Sequence, residues 1–356
     1  MKNHQKIQFA KAHDGTHIAY AATGNGPVLV KAANWLSHIE HDWVCPVWQH
    51  WMADLSKQHT LIRYDERGCG LSDQNVDDLS FDSWVSDLET VVDAIGLKRF
   101  PLLGISQGGA VAIAYAVKHP ERVSHLILYG AYARGRLVRD QSSEAIDEAA
   151  TMRKLIQLGW GREHDAFRQV FACQFMPGGS LTDLQAFNEL QRISCSADNA
   201  AKFLDEFNRI NVLHMASKIK CPTLVLHAKG DLRVAYDEGR LIASQIPGAQ
   251  FVPLDSDNHI LLNEPAWDVF MQEVNDFLAQ NKVKKSVYTL SDLTPRETQV
   301  LNQMAAGLDN QSIATVLGMK EKTVRNHITH IFDKLVVENR SQAIIMAREA
   351  GLGKTN

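Results

Sequence analysis

The sequence predicts an α/β fold, in which a mostly parallel β-sheet lies between helices and a small all-helical domain follows. Three observations support this fold class. Eight short runs, most of them rich in Val, Ile and Leu, recur between residues 7 and 256, and most lack the strict alternation of a half-exposed strand. Helical segments, such as 84–95 and 110–118, separate these runs, as in a sheet covered on both faces. Beyond residue 292 only short helical patterns remain.

The order of the elements adds detail to this fold. Two strand-like runs flank Asp14-Gly15, and Asp-Gly is a favoured turn of a β-hairpin. Six further strands are predicted in PVLVKAA, HTLIRYD, FPLLGIS, HLILYGA, PTLVLHA and QFVPLDS. Residues 134–220 carry helical patterning and no convincing strand. We therefore predict a helical insertion that lies over one edge of the sheet as a lid.

A chain of 356 residues is long enough for two domains. The polar, basic stretch QNKVKKSVYTLSD marks the predicted boundary between them. We predict a first domain at 1–280, a linker at 281–292 and a second domain at 293–356. The net charge of −4 is uneven, since 9 positive and 7 negative residues lie from Lys285 onward. A mildly basic tail on an acidic body is consistent with a DNA-binding appendage.

The composition excludes several classes of protein. The five cysteines are odd in number and form no C-x-x-C pair, which argues against a disulfide scaffold or a structural zinc site. His38 and His41 have no evident third metal ligand, so we expect no metal and no cofactor. The first residues lack the apolar run of a signal peptide, and no segment approaches the roughly 18 apolar residues of a membrane span. We expect a cytoplasmic protein that does not bind membranes.

The C-terminal segment begins with a capping box at Thr294-Pro295-Arg296-Glu297, with proline at the first helical position. Gly307 and Gly318 are placed to end the first and second helices, and a third helix is predicted at 321–336. On a helical wheel, one face of this third helix is apolar. That face carries Val324, Ile328, Ile331 and Leu335. The other face is either a solvated polar surface or a surface for the phosphates and base edges of a major groove. It carries Lys322, Arg325, Asn326 and Thr329.

The segment from Leu293 to Leu352 resembles the four-helix LuxR/NarL DNA-binding domain along its whole length. The matching positions include the capping box, Gly307, Ile313-Ala314, Leu317, Thr323-Val324, His327, Ile331, Lys334-Leu335, Arg340, Ala343 and Gly351-Leu352. The resemblance implies that the third helix is the recognition helix and that double-stranded operator DNA is a partner. The implied base-facing residues are Arg325, Asn326 and Thr329. Residues implied in phosphate contact or support are Lys322, Thr323, Lys334 and Arg340.

The last helix, at about 341–350, is where this family commonly forms dimers. Ile344, Ala347 and Ala350 lie along one stripe of it. We therefore expect a homodimer on a two-fold symmetric operator. One position departs from the family pattern, since Lys320 stands where Ser or Thr usually caps the recognition helix. The loss of a good cap costs about 1 kcal/mol.

In the N-terminal domain, the sequence GISQGG at 104–109 follows an apolar strand and precedes a helix. This is the context of a G-x-S-x-G nucleophile elbow, where small residues flank a serine on a strained turn. Asp231 follows the strand in PTLVLHA, and His259 follows the strand in QFVPLDS. The order Ser106, Asp231, His259, with each residue just after a strand, resembles the catalytic triad of the α/β-hydrolase fold.

This second resemblance covers about residues 1–280 and includes the D-x-R-G-x-G-x-S pattern at 65–72. It implies a mostly parallel sheet with a helical lid. It also implies that His259 accepts the proton of Ser106, and that Asp231 holds the imidazole in its tautomer and stabilises the imidazolium.

The oxyanion-hole segment departs from the hydrolase pattern, because Ala32-Ala33 stand where His-Gly is usual. The expected donors are the backbone amides of Asn34 and Gln107. The loss of one such donor typically lowers turnover by about 10²–10³. Trp35 and Ile105 are expected in the ligand pocket. Three more tryptophans crowd the same segment and either line an apolar ligand site or pack in the core or lid: Trp43, Trp48 and Trp51.

Two hypotheses for the function follow from these resemblances. The first is a ligand-responsive transcription regulator whose sensor is a repurposed hydrolase domain. Its effector would be small and largely apolar, such as an ester, a lactone or an aromatic acid derivative. The alternative is a working serine hydrolase that cleaves its effector, with DNA binding as autoregulation. The intact triad favours the alternative, whereas the altered oxyanion segment favours the sensor.

Overall fold

The computed structural model describes residues 5–286, 293–335, 337 and 339–353. The chain divides into two compact units, residues 1–275 and 276–356. The first unit contains a β-sheet, and the second is helical where the structure describes it. None of the described helices is long and apolar enough to cross a membrane.

Each of the eight predicted runs contains or overlaps a strand. The strands are β1 (Lys6–Lys11), β2 (His17–Thr23), β3 (Val28–Lys31), β4 (Thr60–Tyr64), β5 (Phe100–Ile105), β6 (Val123–Tyr129), β7 (Thr223–Ala228) and β8 (Gln250–Leu254). They form one sheet in the order β1-β2-β4-β3-β5-β6-β7-β8. The pairings β1–β2 and β2–β4 are antiparallel, and the others are parallel. Every residue of β7 is buried, as expected of a strand covered on both faces.

Helices cover the sheet and form the insertion that the sequence predicts. The helices that pack around the sheet are α1 (Pro46–Gln58), α2 (Phe81–Ala94), α3 (Gln107–Lys118), α10 (Tyr236–Gln245) and α11 (Pro265–Ser286). The insertion helices are α4 (Arg136–Arg139), α5 (Ser143–Gly159), α6 (Ala166–Phe175), α7 (Leu181–Ser194), α8 (Ala197–Arg209) and α9 (Leu213–Ala216). Residues 134–220 are described throughout and contain one isolated bridge but no strand. Serine side chains cap α5, α7 and α8.

The D-x-R-G-x-G-x-S segment after β4 stabilises the turn beside the strand ends. Asp65 accepts hydrogen bonds from the backbone N–H groups of Ile39 and Leu71, each at 2.8 Å. Arg67 forms two hydrogen bonds of 2.7 Å with the Asp87 carboxylate, and both side chains are fully buried. A bidentate pair of this kind fixes geometry as well as charge.

In its described residues, the second unit contains the end of α11 and four more helices. These are α12 (Pro295–Ala305), α13 (Asn310–Leu317), α14 (Glu321–Leu335) and α15 (Arg340–Glu349). The predicted capping box is present, with Glu297 N–H donating to Thr294 Oγ1 at 3.3 Å and Thr294 N–H donating to Glu297 Oε2 at 2.7 Å. Gly307 and Gly318 have φ values of 92° and 65°, so both helices end at glycine as predicted.

The predicted linker differs from the structure at its beginning. Helix α11 continues to Ser286, so residues 281–286 are helical. A polar, basic stretch is compatible with a helix as well as with a loop, so composition alone does not distinguish the two. The rest of the predicted linker, 287–292, lies outside the described residues.

Candidate active site and candidate DNA-binding surface

Ser106 lies between β5 and α3, at the carboxyl end of the parallel strands. Its φ of 53° makes it the only non-glycine residue with positive φ among the described residues. Such a conformation costs on the order of 1–3 kcal/mol, so surrounding contacts must hold it. One of these contacts is the hydrogen bond from Ser106 N–H to the Tyr129 carbonyl oxygen, at 2.9 Å. The turn leaves the Ser106 side chain only half-buried.

Three glycines allow this turn to pack closely. A Cβ on Gly104 would lie 2.7 Å from the Gly109 Cα, and one on Gly109 would lie 2.3 Å from the Ala131 Cβ. A Cβ on Gly108 would lie 2.5 Å from the Ala33 carbonyl oxygen. Real Cβ atoms essentially never approach other atoms to under 3.0 Å. The small residues of the motif are therefore needed where β5, α3 and the segment after β3 meet.

Replacing Gly108 with alanine is expected to lower the free energy of unfolding by about 1–3 kcal/mol, because the new methyl group would press on backbone. Calorimetric unfolding of the full chain measures the change. Gly161→Ala is a matched control, since a Cβ at Gly161 would meet nothing within 4 Å. If Gly108→Ala were as stable as this control, the close packing of the elbow would be contradicted.

His259 is positioned by the lid and by the end of β6. Its backbone N–H donates to the Phe175 carbonyl oxygen at 2.8 Å. The rings of the two residues have centroids 5.3 Å apart. Gly130, with a φ of 53°, leaves room for the imidazole, because a Cβ there would lie 3.2 Å from His259 Cε1. The imidazole is buried, and its Nε2 lies 2.9 Å from the Ser106 Oγ.

Asp231 lies on the other side of the imidazole. Its Oδ2 is 2.7 Å from His259 Nδ1. Its Oδ1 accepts hydrogen bonds from the backbone N–H groups of Arg233 and Val234, both at 2.8 Å. The loop after β7 therefore fixes one carboxylate oxygen and leaves the other for the histidine.

The charge of Asp231 sets the direction of proton transfer. Burial alone would raise the pKa of Asp231, but the His259 and His227 imidazoles outweigh it and hold the pKa well below its usual range. An ionised carboxylate only accepts hydrogen bonds, so the proton of the pair resides on His259 Nδ1. The Nε2 atom can then accept the proton of Ser106 as the serine attacks a carbonyl group.

The segment after β3 contains the candidate oxyanion donors. The backbone N–H groups of Asn34 and Gln107 donate to no other group in the described part of the chain. The Trp35 N–H instead donates to Gln107 Oε1 at 3.1 Å, which holds this segment against the start of α3. The two amides stay our prediction for the oxyanion hole, with Ala32-Ala33 in place of the usual residues.

Two buried polar residues behind this segment were not among the predicted site residues. Gln107 Nε2 donates to Glu66 Oε1 at 2.6 Å, and burial raises the pKa of Glu66 to about 8. The Lys31 ammonium donates to the Asn34 side-chain oxygen, and burial lowers the pKa of Lys31 to about 8. Each residue therefore orients one of the candidate donor residues. A lysine inside the apolar run PVLVKAA was the sequence signal for such a role.

Aromatic side chains of the insertion cover Trp35. Its indole stacks on that of Trp160, with ring centroids 5.4 Å apart, and meets the Phe207 ring at 5.6 Å. The Phe175 ring lies 6.4 Å away. The Trp35 Nε1 is buried with no hydrogen-bond partner among the described residues. Of the two predicted pocket residues, Trp35 thus lies beneath the lid, whereas Ile105 is buried at the end of β5.

The other three tryptophans of this region serve packing. The Trp51 ring lies 4.5 Å from the Trp267 ring and 5.5 Å from the Trp48 ring, by centroid distance. Trp43 Nε1 donates to Gln5 Oε1 at 2.8 Å. Trp48 and Trp51 are buried in the core, whereas Trp43 is half-buried and bonded to Gln5.

Helix α14 of the second unit has the two faces that the wheel predicts. The apolar face is buried and consists of Val324, Ile328, Ile331 and Leu335. The residues implied at base edges are all exposed, namely Arg325, Asn326 and Thr329. Two of those implied at phosphates are also exposed, namely Lys322 and Thr323. The exposed face therefore combines cationic, amide and hydroxyl groups that suit a DNA groove.

Lys334 and Arg340 have partners inside the second unit. Lys334 Nζ lies 2.7 Å from Oε2 of Glu297, whose side chain is 4% exposed. Arg340 donates to Asn310 Oδ1 at 2.9 Å and to the Leu308 carbonyl oxygen at 2.5 Å. Of the two roles that the sequence left open for these cations, the contacts favour structural support over phosphate contact.

Lys334→Met is expected to lower the free energy of unfolding of the second unit by about 1–2 kcal/mol at pH 7, because Glu297 would remain buried without its cation. This value is kept small because the Lys334 side chain is 37% exposed, and solvent weakens an exposed ion pair. Thermal unfolding of the full chain measures it, with the exposed Lys322→Met as a control. Loss of operator affinity without loss of stability would contradict a supporting role.

The Lys334–Glu297 ion pair also makes the stability of the second unit depend on pH. Burial raises the pKa of Glu297, but the hydrogen bonds from Lys334 and Thr294 outweigh it and hold the pKa at about 2, below its ordinary 4.5. The stabilisation is therefore complete above about pH 4.5 and is lost as the pH falls towards 2. Wild type and Lys334→Met should differ at pH 7 and converge as the pH falls through about 2; a difference that stayed undiminished between pH 7 and pH 2 would count against the ion pair.

Comparison with protein families gives one match for the domain that contains Ser106 and another for the domain that contains α14. Residues 41–265, more than half of the chain, match the α/β hydrolase fold family. The chain belongs to the α/β hydrolase fold family. Residues 291–347 match the bacterial regulatory proteins of the luxR family. The protein therefore carries a LuxR-type DNA-binding domain fused to a hydrolase-fold domain.

Individual relatives resemble the hydrolase-fold domain. The chain is 24% identical over 273 residues to pyrrolizixenacetamide deacetylase of Xenorhabdus hominickii, over 75% of this chain and 96% of that protein. An esterase from a Rhodococcus species superposes with a TM-score of 0.63 at 25% identity, over 77% of this chain and 98% of that chain. The enol-lactonase from Burkholderia xenovorans superposes with a TM-score of 0.59 at 24% identity, over 76% and 100%.

The last helix of the LuxR-type domain differs from its prediction. Ala347 is fully buried in the helical core together with Ala343, so it does not form a surface stripe with Ile344 and Ala350. Small side chains at these positions let α15 pack closely on its neighbours. Ile345 is 57% exposed and is the large apolar side chain that α15 offers to solvent. The homodimer itself stays a prediction.

Proposed function

We propose that this protein is a transcription regulator whose hydrolase-fold domain binds a small, largely apolar ligand beside Ser106 and thereby controls the LuxR-type domain. The proposal rests on one observation. A hydrogen-bonded Ser106–His259–Asp231 arrangement and a DNA-binding domain occur in one chain. Its partners would be a double-stranded DNA operator and a small-molecule effector, met in the cytoplasm.

The surroundings of Ser106 favour a ligand with an apolar body and a carbonyl group. The rings of Trp35, Trp160 and Phe175 supply apolar walls. The Ser106 hydroxyl and the amides of Asn34 and Gln107 supply polar groups. Ligand sites commonly combine apolar walls with a few convergent polar groups. An ester, a lactone or an aromatic acid derivative has both parts.

Control of DNA binding requires a ligand with different affinities for two states of the protein. Helix-turn-helix dimers read two half-sites related by symmetry, so any change in dimerisation or in the spacing of the recognition helices changes operator affinity. We therefore propose a homodimer on the operator, with occupancy of the Ser106 site shifting the equilibrium.

The operator affinity of the full chain tests this proposal. An operator is first selected from random double-stranded DNA, and its Kd is then measured with a panel of esters, lactones and aromatic acid derivatives. We expect at least one class to change the Kd by about 5–150-fold, the usual range of allosteric coupling. Compounds that bind at Ser106 and leave the Kd unchanged would contradict the proposal.

The triad geometry favours a second candidate, in which the domain hydrolyses its effector and the product is the signal. Ser106→Ala separates the two candidates in a transcription reporter assay. A sensor of the intact ligand should still respond, and more persistently because the ligand survives. A regulator that senses the product should be silent to the ester but respond to added product. We expect the first outcome.

A further inference from the structure

A small cavity beneath the helical insertion is lined by three arginines. Its volume is about 40 Å³, enough for a few water molecules or one small polar group at roughly 10–15 Å³ per water. Its charged and polar lining residues include Arg136, Arg139, Arg233, Glu148, Tyr132 and Asn208. The cavity is therefore positively charged and too small for a whole ligand.

Two of the three arginines have no anionic partner. Arg136 pairs with Glu148. Arg139 and Arg233 form no ion pair with any carboxylate in the described part of the chain, and both are partly buried. Their guanidinium groups instead lie over aromatic rings, 6.0 Å from that of Tyr132 and 5.3 Å from that of Phe175. A guanidinium group stays charged in proteins, and a buried charge without a partner is unfavourable.

Neutral hydrogen-bonding groups are also free in this cavity. The Tyr132 hydroxyl and the Asn208 side-chain amide form no hydrogen bond with other described residues. Burial raises the pKa of Tyr132, so its hydroxyl stays a neutral donor. Within the described part of the chain, two cations that lack a carboxylate partner and two neutral groups that lack a hydrogen bond thus line one small space.

The cavity adjoins the Ser106 site on two sides. Arg233 follows Asp231 by two residues, and its guanidinium lies over Phe175, whose ring contacts His259 at 5.3 Å. On the other side, Phe207 lines the cavity and packs against Trp35 at 5.6 Å. One aromatic ring, that of Phe175, therefore separates the Arg233 guanidinium from the His259 imidazole.

We infer that this cavity binds the carboxylate of the ligand, so that the effector is an acid as well as an ester, lactone or amide. The inference rests on the proposed function, since it names the chemical class of the ligand at the same site. A carboxylate is planar and small, and it accepts paired hydrogen bonds from a guanidinium fork. A phosphate group offers similar oxygens to the arginines, so inorganic phosphate is included as a competitor in the test.

Binding of two matched probes to the full chain tests this inference. Monomethyl glutarate carries one ester and one carboxylate, and dimethyl glutarate replaces the carboxylate with a neutral ester. Calorimetric binding is measured in the Ser106→Ala background, where no turnover occurs. We expect the acid probe to bind at least about tenfold more tightly than the diester. Arg139→Gln and Arg233→Gln should each reduce this preference by about tenfold or abolish it.

Controls separate this inference from the proposed function. Arg240→Gln removes an exposed arginine that pairs with Asp237, and it should keep the preference; thermal unfolding verifies that each variant is folded. Equal binding of the two probes, or a preference that survives both cavity variants, would overturn the carboxylate site and leave the proposed function intact. Displacement of the acid probe by inorganic phosphate at equal concentration would overturn the carboxylate assignment. If neither probe binds, the carboxylate site is contradicted, whereas the proposed function is judged separately by the operator Kd measured with the ligand panel.

Discussion

Asp231→Asn is expected to slow the labelling of Ser106 by a fluorophosphonate probe by on the order of 10⁴-fold, the loss seen when a triad aspartate becomes asparagine. An asparagine amide can donate to His259 Nδ1 and so favours the tautomer with its proton on Nε2. That atom lies 2.9 Å from the Ser106 Oγ and could then no longer accept the serine proton. Mass spectrometry of the full chain over time gives the labelling rate.

Two further variants serve as controls for this result. Ser106→Ala should remove the labelling altogether, and labelling that survives would reveal another nucleophile. Asp237→Asn should leave the rate unchanged, because this aspartate is 81% exposed and pairs only with Arg240 among the described residues. A rate for Asp231→Asn within about tenfold of wild type would mean that the hydrogen-bonded triad does not activate the serine.

Arg325→Ala is expected to weaken operator binding by about 1–3 kcal/mol and to relax base preference at one position of each half-site. The side chain is exposed on the recognition helix and pairs with Glu321 one turn earlier, an exposed contact that DNA can replace at little cost. Competition binding with an operator library, at fixed salt concentration, measures both effects for the full chain.

Two further substitutions make the prediction specific. Lys322→Ala should weaken binding to all operator sequences evenly and reduce the salt dependence of binding, because a phosphate contact carries no base information. Arg296→Ala should have no effect, since this exposed arginine lies on α12 and donates to Gln299. If Arg325→Ala weakened all operator sequences equally, its assignment to a base edge would be wrong.

The positions of the triad residues were predictable for a geometric reason. Ser106, Asp231 and His259 each follow a parallel strand, and the carboxyl ends of parallel strands lie at the same edge of a sheet. The glycines around Ser106 were predictable from the G-x-S-x-G motif. The strands and the capping box at Thr294 were predictable because each depends on residues close together in sequence.

Other features depend on contacts that sequence spacing does not reveal. Lys334 and Arg340 meet partners 37 and 30 residues away, so their side chains could not be assigned to support or to DNA from one helix alone. Ala347 lies in the core because of how α15 packs, which a stripe on one helical wheel does not determine. Arg139 and Arg233 come from distant segments, and only the folded insertion brings them to one cavity.

A fluorophosphonate adduct on Ser106 occupies the site permanently, so it tests the control of DNA binding without knowledge of the natural ligand. The decisive measurement is the Kd of the selected operator for labelled and unlabelled full-length protein. We predict that the two values differ by at least about fivefold, the lower end of typical coupling, and that probe-treated Ser106→Ala shows no change. Equal operator affinities for the labelled and unlabelled wild type would contradict the claim that this site controls the DNA-binding domain.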